Sequence, residues 1–456
     1  MKQLWAHQEE ALNLLKKNRS FALHMEPRTG KTAVALKWLE SISQDKNLKI
    51  LILAPPVATR VWEKELHVWW EFHPSFAIAS GSTEKKLKTI SLDPEILITN
   101  YESLISPKIQ KALMEFAPNV LICDESHRCK NPSAKRSKEV KKIANRCTYR
   151  LNLTGTPVTK SYLDLFQQFL ILDGGQTFGN NFYSFRAKYF EDKNASRRGA
   201  HNYFPDWVIR KDSQTVINAL LAKRSFAKRK VDCLELPPFE TVNVPVEMTP
   251  KQAKAYQEMK EDFITFVEGA DSPSVAKFAM TKALRLQQIS SGFLQTETEM
   301  IELDNQRQVV LSDLLEDLPS PIVVWACFKP NYKAIAKVCE NLGKKYALLT
   351  GEQNQKEKDT AMNRWDNGEI DVLIANQGAG GIGINLSKSS NAIYYSYNFN
   401  FEHDEQSEAR IYSTQSNQFS KITRYNLVSE GTIDSQILKS LKEKSLTLDS
   451  ILGACK

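Results

Sequence analysis

The sequence lacks the features that mark several classes of protein. Its seven cysteines are scattered and form no C-x-x-C pair, so neither a structural zinc site nor a disulfide framework is predicted. It contains no run of about 18 apolar residues, which predicts that no segment spans a membrane. The start, MKQLWAHQEE, has no apolar signal region. We therefore expect a protein that is not secreted, in the cytoplasm of a bacterium or phage-infected cell or in a eukaryotic nucleus.

Low-complexity tracts and short-period repeats are also absent, and the composition is that of a globular protein. The chain has 456 residues, which is too many for one ordinary core and enough for two domains of about 150–200 residues. Hydrophobic residues make up 42% and charged residues 25%. The net charge of +8 permits a partner with a phosphate backbone, although it does not identify one.

The first half of the chain alternates short apolar runs with amphipathic stretches. Continuous apolar runs of this kind suit buried parallel strands, and here they occupy residues 50–54, 96–99 and 120–123. Helical patterns lie between them, at residues 32–43 and 59–70. This alternation predicts an α/β fold with a parallel sheet covered by helices.

Three regions follow from this alternation and from the points where it stops. Residues 1–158 are predicted to form a first lobe, and the aromatic and basic residues 159–236 a helical appendage that returns to it. Pro237-Pro238 marks the linker. In residues 237–456 a helical insertion at about 249–293 precedes renewed strand patterns, which predicts a second α/β lobe.

The segment HMEPRTGKT, residues 24–32, has the context of a phosphate-binding loop. It follows an apolar stretch and precedes a helical one, so backbone N–H groups at Thr29 and Gly30 would face phosphates at a helix N-terminus. Lys31 would neutralise the phosphate oxygens, and Thr32 would offer its hydroxyl to Mg²⁺. The pattern is incomplete, because Met25 stands where the first small residue of the loop is usual.

Two acids, Asp124 and Glu125, follow the apolar run that ends at Cys123. Acids at the carboxyl end of a central parallel strand lie where ligands bind such sheets. Asp124 would hold Mg²⁺, and Glu125 would orient and deprotonate an attacking water. A solvated acidic loop is the alternative, but the order of the two motifs and their spacing of about 90 residues favour hydrolysis of ATP.

Further motifs occur in an order that resembles superfamily 2 helicases, and among them the Snf2-like group of DNA translocases. In the first half these motifs are LWAHQ (4–8), APP (54–56), NYE (100–102), DESHRCKN (124–131) and LTGTPV (153–158). The resemblance implies that Gln8 reads the adenine of ATP. It also implies nucleic-acid contacts at Pro55, Asn100, Tyr101, Lys130 and Thr154, and that His127 bridges toward Thr154 instead of binding a metal.

In the second half, Gly351, GAGGIGINL (378–386) and QSEAR (406–410) resemble the later motifs of that group. The resemblance implies two RecA-like lobes, with Gly381, Gly383 and Gln406 at the nucleotide and with Gly351, Gly380 and Asn385 at the nucleic acid. Arg410 would reach the γ-phosphate from the second lobe. The family has a second arginine three residues later, where this chain has Ser413. Met25 and Ser413 together raise the possibility of slow turnover.

The basic and aromatic appendage has two interpretations. Arg197 and Arg198, with His201, Tyr203 and Phe204, form either a loop that stacks on or separates DNA strands, or the surface of a small helical lobe whose aromatic residues are core. Lys228 and Arg229 belong to a basic cluster suited to phosphate contacts.

The resulting hypothesis is a monomeric ATP- and Mg²⁺-dependent translocase that binds duplex, forked or four-way DNA without sequence preference. It would remodel forks or Holliday junctions in replication, recombination or repair, and a chain of 456 residues leaves little room for the histone-reading modules of a chromatin remodeller. Two alternatives stay open. One is a motor subunit of a nuclease or restriction system, and the other is an ATP-gated DNA-binding protein with weak turnover.

Overall fold

A computed structural model describes residues 3–43, 48–56, 58–70, 73–197, 203, 205–269, 274–296, 299–378 and 384–455. Of Arg197 and of residues 262–269 and 274–280, only the backbone is described. The chain divides into two compact units. Unit 1 comprises Met1–Ser196, Pro205–Leu234 and Lys444–Lys456, and unit 2 comprises Arg197–Phe204 and Glu235–Glu443.

Unit 1 contains a sheet of seven parallel strands in the order β3-β4-β2-β5-β6-β1-β9. Its elements are α1 (Ala6–Lys17), β1 (Ser20–Met25), α2 (Lys31–Ser43), β2 (Ile50–Leu53), α3 (Ala58–Trp69), β3 (Phe76–Ala79), α4 (Thr83–Ser91), β4 (Ile96–Thr99), α5 (Pro107–Phe116), β5 (Val120–Asp124), α6 (Lys135–Ala144), β6 (Tyr149–Thr154), α7 (Asp164–Asp173), α8 (Phe182–Tyr189), β7 (Phe190–Asp192), β8 (Trp207–Ile209), α9 (Ser213–Ala222) and β9 (Ser225–Lys228).

Continuous apolar sequence accounts for the central strands of unit 1. Every residue of β2, β4 and β5 is buried, as expected for strands covered on both faces. Apolar side chains of these strands pack with those of α5 and α6 in one core cluster. Because the strands are parallel, the carboxyl ends of neighbouring β5, β6 and β1 meet at one edge of the sheet, and that edge carries the motifs discussed below.

The appendage differs from the prediction in one respect. Strand β9 pairs with β1 in the main sheet, with Phe226 beside Leu23, so the region is not wholly outside the sheet. Strand β9 has only four residues and lies in a basic stretch of sequence, so the apolar pattern did not indicate it. Phe185, Tyr189 and Phe190 are buried, as a small lobe with an aromatic core requires, whereas Tyr183 is exposed. Of the predicted loop, Arg198, His201 and Phe204 lie outside the described residues.

Unit 2 contains a second parallel sheet, of six strands in the order β10-β17-β16-β13-β15-β14. Its elements are β10 (Phe239–Pro245), α10 (Pro250–Gly269), α11 (Ser274–Ser290), β11 (Phe293–Gln295), β12 (Met300–Glu302), α12 (Arg307–Asp317), β13 (Ile322–Trp325), α13 (Lys329–Asn341), β14 (Tyr346–Leu349), α14 (Gln355–Asp366), β15 (Val372–Ala375), β16 (Asn391–Tyr394), α15 (Phe401–Ile411), β17 (Ile422–Val428) and α16 (Ile433–Ala454). Strands β13 and β15 and helices α12 and α13 share its core.

Two parallel α/β sheets with helices confirm the predicted fold class. Helix α16 begins in unit 2, and its last residues belong to unit 1. There Ser450 accepts a hydrogen bond from Gln214 Nε2 at 2.7 Å, and the carbonyl of Cys455 accepts one from Ala227 N at 2.9 Å. Among the residues described, no helix is both long and apolar enough to cross a bilayer.

Candidate active site

The loop between β1 and α2 has the conformation of a phosphate-binding loop. Gly30 has φ +87°, in the region that favours glycine, and a Cβ at this position would overlap Nε2 of Gln8. The Thr29 hydroxyl donates to the carbonyl of Glu26 at 2.8 Å, which closes the loop on itself. Helix α2 starts at Lys31, so the N-terminus of a 13-residue helix faces this loop.

Lys31 and Gln8 both lie against the loop. Nζ of Lys31 donates to the carbonyl of Met25 at 2.7 Å and to that of Glu26 at 3.3 Å, so its charge is held over the loop. Gln8 is buried, and its Nε2 donates to the carbonyl of Thr29 at 3.1 Å. Thr32, in the first turn of α2, is partly buried. The sequence pattern assigned Thr29, Gly30, Lys31 and Thr32 to this loop. The structure places Gln8 against the same loop.

Asp124 ends β5 at the same edge of the sheet. Its Oδ2 accepts a hydrogen bond from Trp62 Nε1 at 2.9 Å, and its carbonyl accepts one from the Tyr101 hydroxyl at 2.7 Å. Burial, followed by the negative charge of Glu125, raises the pKa of Asp124 from 3.8 to about 6, although Lys31 acts in the opposite direction. Because burial and Glu125 disfavour the charged form of Asp124, a cation bound nearby would stabilise its carboxylate.

Glu125 takes part in a short hydrogen-bonded chain with β6. Thr154 Oγ1 donates to Oε2 of Glu125 at 3.3 Å and lies 2.9 Å from Nδ1 of His127. A threonine hydroxyl has a single proton, so Nδ1 of His127 is the donor to Thr154. The predicted bridge from His127 to Thr154 is present. It orients a carboxylate whose residue adopts a left-handed conformation, with φ 52°.

Three residues at this edge had no assigned role at the nucleotide site. Trp62 and Tyr101 hold Asp124, as described above, and Gly155 lies against the phosphate loop. A Cβ on Gly155 would lie 2.8 Å from Cδ of Pro27 and 3.2 Å from the carbonyl of Met25, so only glycine allows this close approach. The position of Gly155 within LTGTPV was the one signal in the sequence that could have indicated it.

Three of the residues predicted to contact nucleic acid in unit 1 are buried in this structure. Tyr101 and Thr154 are both 0% exposed, and their hydroxyls are engaged with Asp124 and Glu125 as described above. Pro55 is also buried. In this structure none of the three side chains reaches a surface where it could touch a phosphate, and the first two act within the site instead.

The other polar residues predicted to contact nucleic acid in unit 1 have partners inside the unit. Asn100 caps the turn that follows it by accepting from Ser103 N at 2.9 Å. Lys130 donates to the Thr159 hydroxyl. Lys228 lies 3.6 Å from Glu10, and Arg229 lies 3.1 Å from Asp232 and 3.6 Å from Asp449. Pairing with acids lowers the net positive charge that Lys228 and Arg229 offer to a phosphate backbone.

In unit 2, Gly351 follows β14 and lines a cavity of about 590 Å³ together with Lys329 and Asn376. Asn385 is exposed, donates to Gln415, and accepts from Ser387 N at 3.2 Å. Gly380, Gly381, Gly383 and Arg198 lie outside the described residues, as does the side chain of Arg197.

Helix α15 carries Gln406 and Arg410. Gln406 is buried and donates to Glu402 at 3.3 Å, while Nη1 of Arg410 donates to the carbonyl of Ile384 at 3.4 Å. Ser413 is buried as well, and its N–H donates to Ser416 Oγ at 3.1 Å. A small side chain therefore fits the position where the resembling family has its second arginine.

A buried ion pair fixes α15 against β17. Arg424 donates from Nη2 to Oδ1 of Asp404 at 2.8 Å and from Nη1 to Oδ2 at 3.0 Å, and its Cζ lies 3.8 Å from the ring centroid of Tyr394. Burial is the largest single effect and lowers the pKa of the Arg424 guanidinium, but the attraction and hydrogen bond of Asp404 together with the charges of Tyr394 and Glu408 outweigh it, so the pKa is raised. Sequence analysis missed this pair, because a charged residue in a strand gives no signal of a buried partner.

The described residues contain no group of three or more His, Cys, Asp or Glu side chains that could hold a metal ion by themselves. Asp124 and Thr32 would supply one carboxylate and one hydroxyl oxygen. That set suits Mg²⁺, which binds proteins through one or two carboxylates with the remaining ligands from phosphates and water.

Comparison with known proteins agrees with this geometry. Residues 7–309 match the SNF2-related domain, and residues 307–415 match the helicase conserved C-terminal domain. Among curated proteins, the ISWI chromatin-remodeling complex ATPase ISW2 of Saccharomyces cerevisiae is 24% identical over 93% of this chain, which spans 38% of that protein.

Two further relatives differ in how much of their own length is matched. Protein p41 of Acyrthosiphon pisum secondary endosymbiont phage 1 is 25% identical over 94% of this chain and 93% of its own length. The DNA repair and recombination protein RDH54 of Saccharomyces cerevisiae is 24% identical over 89% of this chain, which spans 46% of it. Because the SNF2-related match covers more than half of the sequence, the chain belongs to the SNF2-related family, with a helicase conserved C-terminal domain following it.

Proposed function

We propose that this protein is an ATP-driven motor that moves along DNA and acts on duplex, forked or four-way substrates. One observation carries the proposal. Lys31 is about 90 residues away in sequence from the adjacent acids Asp124 and Glu125, yet all three lie at the carboxyl edge of three neighbouring strands. The phosphate loop and the acids would form a hydrolytic site there.

ATP and Mg²⁺ are the cofactors that this arrangement suits. Lys31 and the N-terminus of α2 would bind the phosphates, Thr32 and Asp124 would hold Mg²⁺, and Gln8 would contact the base. The glycines at positions 30 and 155 let Gln8 and Pro27 approach the loop closely, which a side chain at either position would prevent. Bound Mg²⁺ would supply charge neutralisation for the transferred phosphoryl group.

Hydrolysis would depend on Glu125. Its carboxylate would orient a water and take up its proton, while the hydrogen bond from Thr154 holds the carboxylate in place. Thr154 also accepts the backbone N–H of Thr156 at 3.1 Å, so Glu125 is linked to the segment that follows β6. Through this link, the nucleotide site at Glu125 would be coupled to the segment of unit 1 that follows β6, as the family resemblance implies.

The second unit would contribute Gln406 and Arg410 to the nucleotide, together with Gly381 and Gly383. It would contribute Gly351, Gly380 and Asn385 to the nucleic acid. Arg410 is proposed to stabilise charge on the γ-phosphate as an arginine finger does. The ion pair between Arg424 and Asp404 supports this role, because it gives α15 a fixed position in its own unit.

The DNA substrate rests on the relatives and on charge. The RDH54 name specifies DNA repair and recombination, and the phage relative p41 is matched over nearly its whole length. A net charge of +8 favours sequence-independent binding to phosphates. Together these favour a compact, monomeric DNA motor in replication, recombination or repair over an RNA helicase.

The test is the steady-state ATPase rate with single-stranded, duplex, forked and four-way DNA and with RNA, measured side by side. We expect at least about tenfold stimulation by duplex DNA, a further increase with branched DNA, and little effect of RNA. Lys31→Ala is the inactive control. A rate that is equal with and without any DNA would contradict the motor and favour the ATP-gated binding protein.

A further inference from the structure

Helix α8 and strand β8 place three side chains at the surface of unit 1, where they form what we call the aromatic platform: Tyr183, Arg186 and Trp207. The guanidinium carbon of Arg186 lies 4.1 Å from the ring centroid of Trp207 and 5.3 Å from that of Tyr183. Tyr183 and Arg186 are three residues apart on α8, so they share one face of the helix. A flat cation thus lies among aromatic rings at the surface.

The scaffold under the aromatic platform is rigid. Phe185 and Tyr189, on α8, are buried, and the Phe185 ring contacts those of Phe166 and Phe178 at centroid distances of 5.3 and 5.0 Å. Strand β8 pairs with β7. Asp192 further ties the hairpin by accepting from the N–H of Asp206 at 2.9 Å. The aromatic platform is therefore preorganised, which lowers the entropic cost of binding a ligand.

The aromatic platform is also open to solvent, and the segment that carries it has further basic residues. Tyr183 is 68% exposed, so the face of its ring is accessible to a ligand. Lys188, Arg210 and Lys211 are exposed nearby in the same segment. Within the described part of the chain, Arg186 has no carboxylate partner, so its charge stays available.

We propose that the aromatic platform binds an unpaired base of DNA. The base would stack on the Tyr183 ring, beside the Arg186 guanidinium, and the surrounding cations would hold the flanking phosphates. Stacking on an aromatic side chain is tolerant of sequence because every base has a π-face, and the cations supply affinity for the backbone. The inference rests on the proposed function, since it assigns the motor a contact with single-stranded DNA at a fork or junction.

The alternative is that the Arg186 stack only fastens β8 to α8. That explanation accounts for Arg186 and Trp207, whose contact is internal, but it does not account for the exposure of Tyr183. Replacing Tyr183 tests the two ideas separately, because so exposed a side chain contributes little to folding.

The experiment measures binding of the full chain, without ATP, to a forked DNA whose single-stranded arm carries 2-aminopurine. Stacking quenches this fluorescent base, so the signal reports the contact itself. We expect Tyr183→Ala to weaken binding of the arm about tenfold and to abolish the quenching that binding adds. Tyr183→Phe keeps the ring and should retain both.

Leu92→Ala is the matched control, because Leu92 is another exposed apolar residue of unit 1, 75% accessible and outside the aromatic platform. Wild-type binding and quenching in Tyr183→Ala would overturn the inference, and so would an equal loss in Leu92→Ala or in Tyr183→Phe. The proposed function is judged separately, by stimulation of ATP hydrolysis with fully duplex DNA.

Discussion

Lys31 and Glu125 lie at the same edge of unit 1 but are proposed to have different tasks. Lys31→Ala removes the charge held over the phosphate loop and should abolish ATP binding or turnover. Glu125→Gln keeps the shape and the hydrogen bond from Thr154 but loses the base, so it should bind ATP normally and turn over roughly 10²–10⁴ times more slowly. Affinity for a fluorescent ATP analogue and the ATPase rate separate the two. An unaltered steady-state rate in Glu125→Gln would refute its role as base.

The buried carboxyl of Asp124 is proposed to be needed for ATP hydrolysis, but its charge should lower the stability of the fold at neutral pH. An acid whose folded pKa is raised, here from 3.8 to about 6, stabilises the fold most below its unfolded pKa and loses that contribution as pH rises through about 6. Asp124→Asn removes the buried charge and should raise stability at pH 7.5 by on the order of 2 kcal/mol, while ATP hydrolysis is lost.

The measurement is the melting temperature of wild type and Asp124→Asn at pH 7.5 and at pH 4.5. At the lower pH the carboxyl is already protonated in the folded state but still largely ionised in the unfolded state, so the difference in melting temperature should fall to roughly a third of its value at pH 7.5. A difference of equal size at both pH values would show that burial of the charge is not the cause.

At this scale the sequence predicted the chemistry of the site better than its surroundings. Lys31, Asp124 and Glu125 follow from motif spacing and strand position, which are local signals. The bonds from Trp62 and Tyr101 to Asp124 are not local, because they depend on which strands become neighbours in the sheet. For that reason Tyr101 was predicted to contact nucleic acid, whereas in the structure it is buried and its hydroxyl donates to the carbonyl of Asp124.

At the scale of helices and strands, the pair of α15 and β17 gives a prediction for unit 2. Arg424→Met should destabilise the protein by about 3–5 kcal/mol, because Asp404 would remain as a buried carboxylate without its partner. Arg424→Met combined with Asp404→Asn should cost less than the sum of the single changes. Chemical or thermal unfolding of the three variants measures this coupling.

Lys421→Met is the matched control for that prediction. Lys421 pairs with Glu240 at 2.7 Å, but the two side chains are 53% and 51% exposed, so solvent screens the pair and its loss should change the unfolding midpoint very little. Equal losses in Arg424→Met and Lys421→Met would mean that burial does not distinguish the two pairs.

Elements with a strong apolar pattern were predictable, and the others were not. Strands β2, β4 and β5 are apolar and buried throughout, so the alternation of the chain indicated them. Strand β17 is largely buried but carries Arg424 and Asn426, whose hydrogen-bonded partners satisfy them inside the fold. A strand of mixed polarity resembles a loop until its partners are known.

At the scale of the whole molecule, the last residues of the chain belong to the first unit. Leu452 and Leu446 lie on the same helix, α16, but Leu452 is 0% exposed whereas Leu446 is 62% exposed. Leu452→Ala should therefore cost about 2–5 kcal/mol through the cavity that it leaves, and Leu446→Ala within about 0.5 kcal/mol. Thermal unfolding compares this matched pair, and similar melting temperatures for the two variants would contradict burial of the segment in unit 1.

The sequence could not indicate this arrangement. Two α/β lobes were predicted from alternating patterns, and the two sheets confirm them. The hydrogen bond between Gln214 and Ser450 joins residues 236 positions apart, and no pattern within a window of sequence contains such a contact.

That long connection has a consequence for synthesis of the protein. Strand β9 donates a backbone hydrogen bond to a residue near the end of the chain, from Ala227 N to the carbonyl of Cys455. The amino-terminal unit can therefore acquire its last backbone partner only after residue 455 has left the ribosome, however early its central strands have paired. A nascent chain arrested shortly before that residue would expose the surface around Ser225 and Ala227 to chaperones and proteases.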